Sequence, residues 1–183
     1  GSKIFDKIHN FIIGSSRQTC YAVRRKAKEL KLNSIILSTE IEGEAREVGK
    51  VAAGIAKTLF KHDSPTKTSA AIIMGGETTV TVRGEGKGGR NQELALSASK
   101  SIEGLSGIAI ASMGTDGVDG PTDAAGAIVD GSTVIQARAK NMNVDEYLAR
   151  NDSNTFFKSL GDGLIMTGPT GTNVNDLILI VAL

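Results

Sequence analysis

Aromatic side chains make up only 4% of the 183 residues. The core must therefore be built mainly from Ile, Val, Leu and Ala. Tyr21, Tyr147 and the five Phe do not group into a stacking platform for nucleobases. Cysteine is nearly missing too: a lone Cys20 cannot close an internal disulfide, so a reducing, cytoplasmic setting is expected. There is no excess of either charge, with 21 Lys plus Arg against 20 Asp plus Glu. That balance argues against a nucleic-acid partner, which calls for a basic patch. No apolar run reaches 18 residues, so no membrane span is expected, and no cationic, apolar leader suggests secretion. His9 and His62 stand far apart, neither beside a cysteine or paired aspartates, which disfavours zinc. No Ser-His-Asp or Cys-His arrangement is visible. Gly1-Ser2 without an initiating Met resembles the scar of a removed tag, so the natural start is expected upstream.

What the chain has in abundance is glycine, 22 residues, and patterned apolar segments. Ser15 with Gln18 three residues on has capping-box spacing. Cys20, Val23, Ala27 and Leu30 then recur at helical period, and Cys20 is assigned to the core. Ser34–Ser38 reads as a buried strand. Glu44 and Glu47 open a second helix that Lys57 and Lys61 close, as the helix dipole prefers. Ala70–Met74 is a strand, and Thr78–Arg83 alternates Val with Thr as a half-exposed strand does. These two are expected to form a hairpin-like pair. A helix over 91–102, a strand over 107–113, a short strand over 127–129 and helices over 132–140 and 145–149 follow. Asp152 is expected to cap a helix that Gly161 stops. Strands over 164–166 and 177–183 complete the chain. Strands alternate with helices, which predicts an α/β fold in one domain, 1–183, with a mixed, mostly parallel sheet flanked by helices.

Three glycine-rich loops follow strands: 84–93, 114–123 and 167–176. Ligands of open α/β sheets bind beyond the carboxyl ends of strands, so the loops are expected to converge on one crevice. Gly84, Gly86 and Gly89 match the dinucleotide pattern G-x-G-x-x-G, but the preceding strand is not the buried one that this fingerprint requires. A Walker A loop fails because Arg90-Asn91 stands where Lys-Ser or Lys-Thr is needed. What remains is general. Glycines such as Gly88 and Gly89 allow close backbone approach, a helix N-terminus favours an anion, and Arg90 offers a planar fork for carboxylate or phosphate. In the second loop Asp116, Asp119 and Asp123, with Thr115 and Thr122 nearby, could hold Mg²⁺ or orient a substrate hydroxyl, and Gly117 is counted with the substrate-binding positions. In the third, Thr170, Thr172 and Asn173 could complete an anion-binding concavity. Each loop also has a plainer account: a turn, an Asp cap, or a solvated Arg.

Taken in order, Met74-Gly75-Gly76-Glu77-Thr78-Thr79-Val80, Gly86 to Glu93, Gly114-Thr115-Asp116-Gly117, Gly120 to Gly126 and Thr167 to Asp176 resemble the MOFRL region of type II glycerate kinases. Ile41 to Val48 and Asn10 to Ser15 resemble the segment just before it. The resemblance runs from about Ile8 to the end. It implies transfer of the γ-phosphoryl group of ATP to D-glycerate with Mg²⁺, in a cleft between two domains. This chain would be the C-terminal one, and the N-terminal domain, with the family's catalytic lysine, would be absent from it. Carried over by position, Arg90 would bind the glycerate carboxylate or the moving phosphoryl group, supported by Asn91 and Glu93. Asp116 with Thr115 would serve substrate or Mg²⁺, with Asp123 as second candidate; the metal ligands stay unassigned. An apolar face left by the absent domain could drive homo-oligomers. Two rivals stand beside this reading: a non-catalytic module binding a small organic acid or phosphate, and a hydroxypyruvate reductase, a label some family members carry. The second is weakened by the lack of an acidic residue at the usual distance after a second buried strand.

Overall fold

A computed structural model describes residues 9, 11–67 and 69–183. Among the described residues six strands and six helices follow in the order α1 (Ser16–Glu29), β1 (Asn33–Ile41), α2 (Ala45–His62), β2 (Ala70–Gly76), α3 (Arg90–Ser101), β3 (Ile108–Gly114), β4 (Gly126–Asp130), α4 (Thr133–Ala139), α5 (Val144–Ala149), α6 (Ser153–Leu160), β5 (Leu164–Ile165) and β6 (Asp176–Ala182). They build a single sheet in the order β1-β2-β6-β3-β4-β5. The α/β class and the mixed sheet are as expected, but most neighbouring pairs are not parallel. β1 and β2 pair in parallel, while β2–β6, β6–β3, β3–β4 and β4–β5 are antiparallel. The reason is non-local. The last strand of the chain inserts into the middle of the sheet, between β2 and β3, and runs against both. Its sequence Leu-Ile-Leu-Ile-Val-Ala is apolar on both faces, as a central strand requires.

Local signals fared well at helix ends. Ser15 caps α1 by accepting from the Gln18 amide at 3.3 Å. Cys20 is fully buried, and burial pushes its thiol above the ordinary range, against a weaker pull from Ser16. Gly161 ends α6 in the left-handed region. Asp152 does stand at the N-cap of α6, but its carboxylate accepts from the Lys87 amide at 2.9 Å instead of from its own helix. The expected strand over Thr78–Arg83 does not form, and neither does the hairpin with β2. Among the described residues that segment has no partner strand beyond a bridge between Glu44 and Thr79. Its backbone is held by the start of α2 and by side chains. The Ala45 amide donates to the Thr79 carbonyl at 2.8 Å, the Glu44 carboxylate takes the Thr81 amide at 3.0 Å, and Asn151 Oδ1 takes the Arg83 amide at 2.7 Å.

α2 and α3 cover one face of the sheet over a single continuous core that includes Leu59, Leu94, Ile102, Ile110, Ile178 and Phe156. α1 lies on the other face. Its Ser16 Oγ and Cys20 Sγ are so close to Gly75 that a Cβ there would sit 2.4 Å and 2.8 Å from them. α3, the helix after the first glycine-rich loop, is buried from Asn91 to Ser99 and is the hub of the domain.

Two substitutions in α2 are expected to have opposite signs. A Cβ on Gly49 would meet the Leu94 carbonyl oxygen at 2.3 Å, so α2 and α3 touch backbone to backbone there. Gly49→Ala is expected to cost about 1–3 kcal/mol through overpacking. Gly54, one and a half turns on, has open space around its Cβ position, and Gly54→Ala is expected to stabilise by about 0.4–1 kcal/mol. Urea midpoints of the two variants check both; shifts of the same sign would contradict the close crossing.

Candidate functional site

The insertion of β6 aligns three strand ends. Gly76 at the end of β2, Asp176 at the start of β6 and Gly114 at the end of β3 pair in one row across the sheet. The second loop leaves this row at Gly114, the third returns to it at Asp176, and the first reaches it through Arg90, so the loops meet at one end of the sheet, although only the first two wall the groove beside Arg90. At the row's centre the Asp176 side chain is 2% exposed and faces Arg90, the first residue of α3. Arg90 donates from Nε to Asp176 Oδ2 at 2.6 Å and from Nη2 to Oδ1 at 3.0 Å. This is the bidentate fork of guanidinium on carboxylate. The Asp176 hydrogen bonds raise the Arg90 pKa further above its ordinary value, against a smaller lowering by burial. Nη2 also lies 3.3 Å from the exposed Glu77 carboxylate. Arg90 is thus held in orientation from within, by a buried anion, and contacted from without by an exposed one.

The start of α3 was expected to be open to an external anion. It is already filled by a carboxylate of this chain. Asp119, 2% exposed, accepts from the Asn91 amide at 3.0 Å on Oδ1 and from the Gln92 amide at 2.9 Å on Oδ2. It also takes Asn91 Nδ2 at 3.2 Å and Gln92 Nε2 at 2.9 Å. Burial pushes the Asp119 carboxyl above the ordinary range and these four N–H donors pull it back. The second loop therefore caps the helix that the first loop leads into, with the dipole satisfied internally. The remaining acceptors join the network: Asn91 Oδ1 receives Ser112 Oγ at 2.5 Å, and Gln92 Oε1 receives Asn154 Nδ2 at 2.9 Å.

The glycines of the first loop serve close packing more than an amide cradle. A Cβ on Gly84 or Gly86 would lie 2.4–2.6 Å from Arg150 or Asp152 atoms, and one on Gly88 would lie 2.3 Å from Ser153 Oγ. The loop lies flat on the turn between α5 and α6. Several amides are taken there: Gly84 by Asn151 Oδ1 at 3.2 Å, Gly86 by the Arg150 carbonyl at 2.9 Å, and Lys87 by Asp152. Asn151, in the left-handed region at φ 55, donates Nδ2 to Glu93 Oε2 at 2.9 Å and so ties the loop to α3. Glu93 in turn accepts from Arg46 at 2.8 Å. Asn91 and Glu93 are both buried, and their polar groups hold protein partners. Both were expected to support Arg90, and the network that they join adjoins it in the first turn of α3.

The second and third loops are zipped together. Thr115 Oγ1 donates to the Asn175 carbonyl at 2.7 Å and accepts from the Val174 amide at 2.9 Å. Thr170 Oγ1 donates to the Thr115 carbonyl at 2.6 Å and approaches Thr172 at 3.4 Å, while Asn173 Nδ2 reaches Asp116 Oδ2 at 3.3 Å. A Cβ on Gly117 would lie 2.0 Å from the Gly168 carbonyl oxygen. The site of a Cβ on Gly114 lies 2.9 Å from Asp116 Oδ1 and 3.7 Å from Asp176 Oδ1, so Asp116 borders the Arg90–Asp176 pair. Asp123 stands apart, exposed and paired with Lys158 at 3.0 Å. The three aspartates of this loop face three different neighbourhoods, and among the described residues no group of three or more His, Cys, Asp or Glu could hold a metal ion. The loop offers single carboxylates and not a cation cage.

A groove of about 570 Å³ opens beside Arg90, walled by Glu77, Thr78, Val82, Gly88, Gly89 and Pro121 among others. Thr78 is 3% exposed, and its hydroxyl has no hydrogen-bond partner among the described residues. The groove joins the first loop to the tip of the second; Thr170, Thr172 and Asn173 lie outside its walls. Sequence reasoning passed over Asp176 and Glu77. Asp176 was visible as a lone acid opening an otherwise apolar strand. Nothing local marked Asn151.

Comparison with known proteins fits this picture. A D-glycerate 2-kinase of Thermotoga maritima is 49% identical over 177 residues, covering 97% of this chain and 42% of the relative. A glycerate 2-kinase of Pyrococcus horikoshii is 43% identical over 95% of this chain and 39% of its own length. The chain thus spans about two fifths of these relatives. A crystal structure of the Thermotoga maritima glycerate kinase superposes with a TM-score of 0.93 over 94% of this chain and 42% of its own. Residues 70–176 match the MOFRL family, from β2 through all three loops to the aspartate that holds Arg90, and the chain belongs to that family.

Proposed function

We propose that this chain forms one wall of the active-site cleft of a glycerate kinase, which transfers the γ-phosphoryl group of ATP to a hydroxyl of glycerate. The observation that carries the reading is Arg90, fixed by buried Asp176 and contacted from outside by an exposed, exchangeable carboxylate. The names of the similar proteins give the substrate. Phosphoryl transfer demands positioning and positive charge on the equatorial oxygens more than covalent chemistry. A guanidinium whose orientation is set in advance meets that demand without reorganising during the reaction. Glu77 occupies the outer edge of Arg90 as a stand-in for an arriving anion, the glycerate carboxylate or a phosphoryl oxygen. Binding displaces it into solvent. Asp116, beside Asp176, is placed to accept a hydrogen bond from a substrate hydroxyl. The remainder of the cleft comes from the polypeptide that the longer relatives possess in addition. Mg²⁺ accompanies ATP in such chemistry; among the described residues no three His, Cys, Asp or Glu gather to hold it, and a single carboxylate such as Asp116 would share it with water and phosphate oxygens.

The test is glycerate phosphorylation by the longer polypeptide, with the present 183 residues assayed beside it. Turnover by the former and none by the latter is expected. Measurable turnover by the 183 residues alone would refute the two-part cleft, and inactivity of both would favour the binding module. Glu77→Gln in the longer polypeptide removes the competing carboxylate. KM for the anionic substrate is expected to fall about two- to fivefold, the size of an exposed ion pair. An unchanged or raised KM would show that Glu77 is not displaced.

A further inference from the structure

The register of the sheet defines a face that this chain leaves open. On the side away from α2 and α3, Ile73, Leu179, Ala111 and Ile128 form one row, and Gly75, Leu177 and Met113 form the next. α1 lies over β1 and β2 and reaches only the near edge of β6. Leu177, Leu179, Ala111 and Met113 are half-exposed and Ile128 is 45% exposed. An antiparallel strand with one wet face alternates apolar with polar residues. β6 and most of β3 do not: they carry apolar side chains on both faces, the pattern of strands covered on both sides. Contiguous exposed apolar patches of this kind mark interaction surfaces. At the corner of the same face the chain enters the domain through Phe11, Ile12 and Ile13, exposed by 84%, 81% and 97%. Gly14, which follows, lies against Val174 just before β6; a Cβ on it would be 3.2 Å from Val174 Cγ1.

We infer that the open face of β6, β3 and β4, together with Phe11–Ile13, is the seat of the N-terminal part of a longer polypeptide. Three facts single out this occupant over a second copy. The chain matches the C-terminal part of relatives of which it spans about two fifths, so well over half of such a protein precedes it. The apolar run that would connect to that part starts at the corner of the face. The seat also borders the row of strand ends at Gly76, Asp176 and Gly114, so a body docked there stands beside the loops that meet at that row. The inference does not depend on the substrate being glycerate.

Single cysteines at Ala111 and at Ile128, each in a Cys20→Ala background, test it. Maleimide labelling rates would be measured in the 183-residue chain and in the longer polypeptide, each normalised to the same cysteine in denaturant. Both sites are expected to label at least tenfold more slowly in the longer polypeptide. Equal rates would overturn the inference. Protection already present in the 183-residue chain and lost on dilution would overturn it too, by assigning the face to a second copy. Phosphorylation activity plays no part in the readout, so failure here and failure of the kinase reading are separate results.

Discussion

Replacing Arg90 by Ala in the longer polypeptide is expected to lower kcat/KM for glycerate phosphorylation about a hundred- to a thousandfold. That is the range for loss of one preorganised donor at a developing charge, roughly 2.7–4 kcal/mol. The donor in question is fixed by Asp176 at 2.6 and 3.0 Å and needs no rearrangement to act. Arg90→Lys keeps the charge but loses the planar fork. One ammonium cannot bond both Asp176 oxygens and still address a substrate from a fixed direction. At least tenfold of the loss should therefore persist in the lysine variant. Arg90→Ala also leaves the buried Asp176 carboxylate without its partner, which costs stability. Because Arg90 is 31% exposed, water can reach part of the gap, and about 1–3 kcal/mol is expected rather than the larger penalty of a sealed pair. Steady-state kinetics and thermal melts of the same preparations check the prediction together. Full activity in the folded alanine variant would remove Arg90 from the chemistry and leave the Asp116 side of the site to carry it.

The contrast between Arg90 and its surroundings shows what a single sequence reveals. Helix starts and stops were legible because caps act over three or four residues: Ser15 with Gln18, and Gly161 after Leu160. The loops were legible as loops, and their meeting at one end of the sheet followed from the strands that lead into them. The identity of what faces each loop was not. A glycine that exposes its amide to a ligand and a glycine that lies flat on another segment both need a missing Cβ. Gly84, Gly86 and Gly88 read alike under either account. What distinguishes them is the turn at Arg150–Ser153, more than 60 residues on. The alternation over Thr78–Arg83 has the period of a strand, but a ladder also needs a neighbour, and β1 at that edge is already followed by α2. The antiparallel insertion of β6 is the same problem on a larger scale, since strand order is set by which apolar faces meet and not by local pattern. The expected anion site at the start of α3 failed for a related reason. A helix N-terminus does attract an anion; here the anion is Asp119, 28 residues along the same chain.

Asp119→Ala is accordingly expected to be among the most destabilising single changes in the domain. Asp119 accepts from four N–H groups, two of them amides of the first turn of α3, and all four donors belong to residues at most 1% exposed. An N-cap truncation costs about 0.5–2 kcal/mol where water can take over. Here water is excluded, and each buried donor left unpaired adds about 1–3 kcal/mol before relaxation. Allowing for collapse of the small cavity and re-pairing of the two side-chain amides, about 3–5 kcal/mol is the expected loss. That is a large share of the roughly 5–15 kcal/mol that holds a domain folded. Asp119→Asn keeps the shape but turns an N–H toward donors at one of its two positions. It should fall between wild type and alanine. The effect also reaches the site. Arg90 is the residue immediately before Asn91, so an unsealed first turn lets the guanidinium drift from Asp176, and activity should fall further than the folded fraction does. Urea unfolding of the 183-residue chain measures the first part, and activity of the longer polypeptide below its melting temperature measures the second. A midpoint shift worth less than about 1 kcal/mol in Asp119→Ala would mean that water or a rearranged Gln92 satisfies the helix start. In that case the N-terminus of α3 is open to an external anion after all, and the groove beside Arg90 gains a second anchoring point for phosphate.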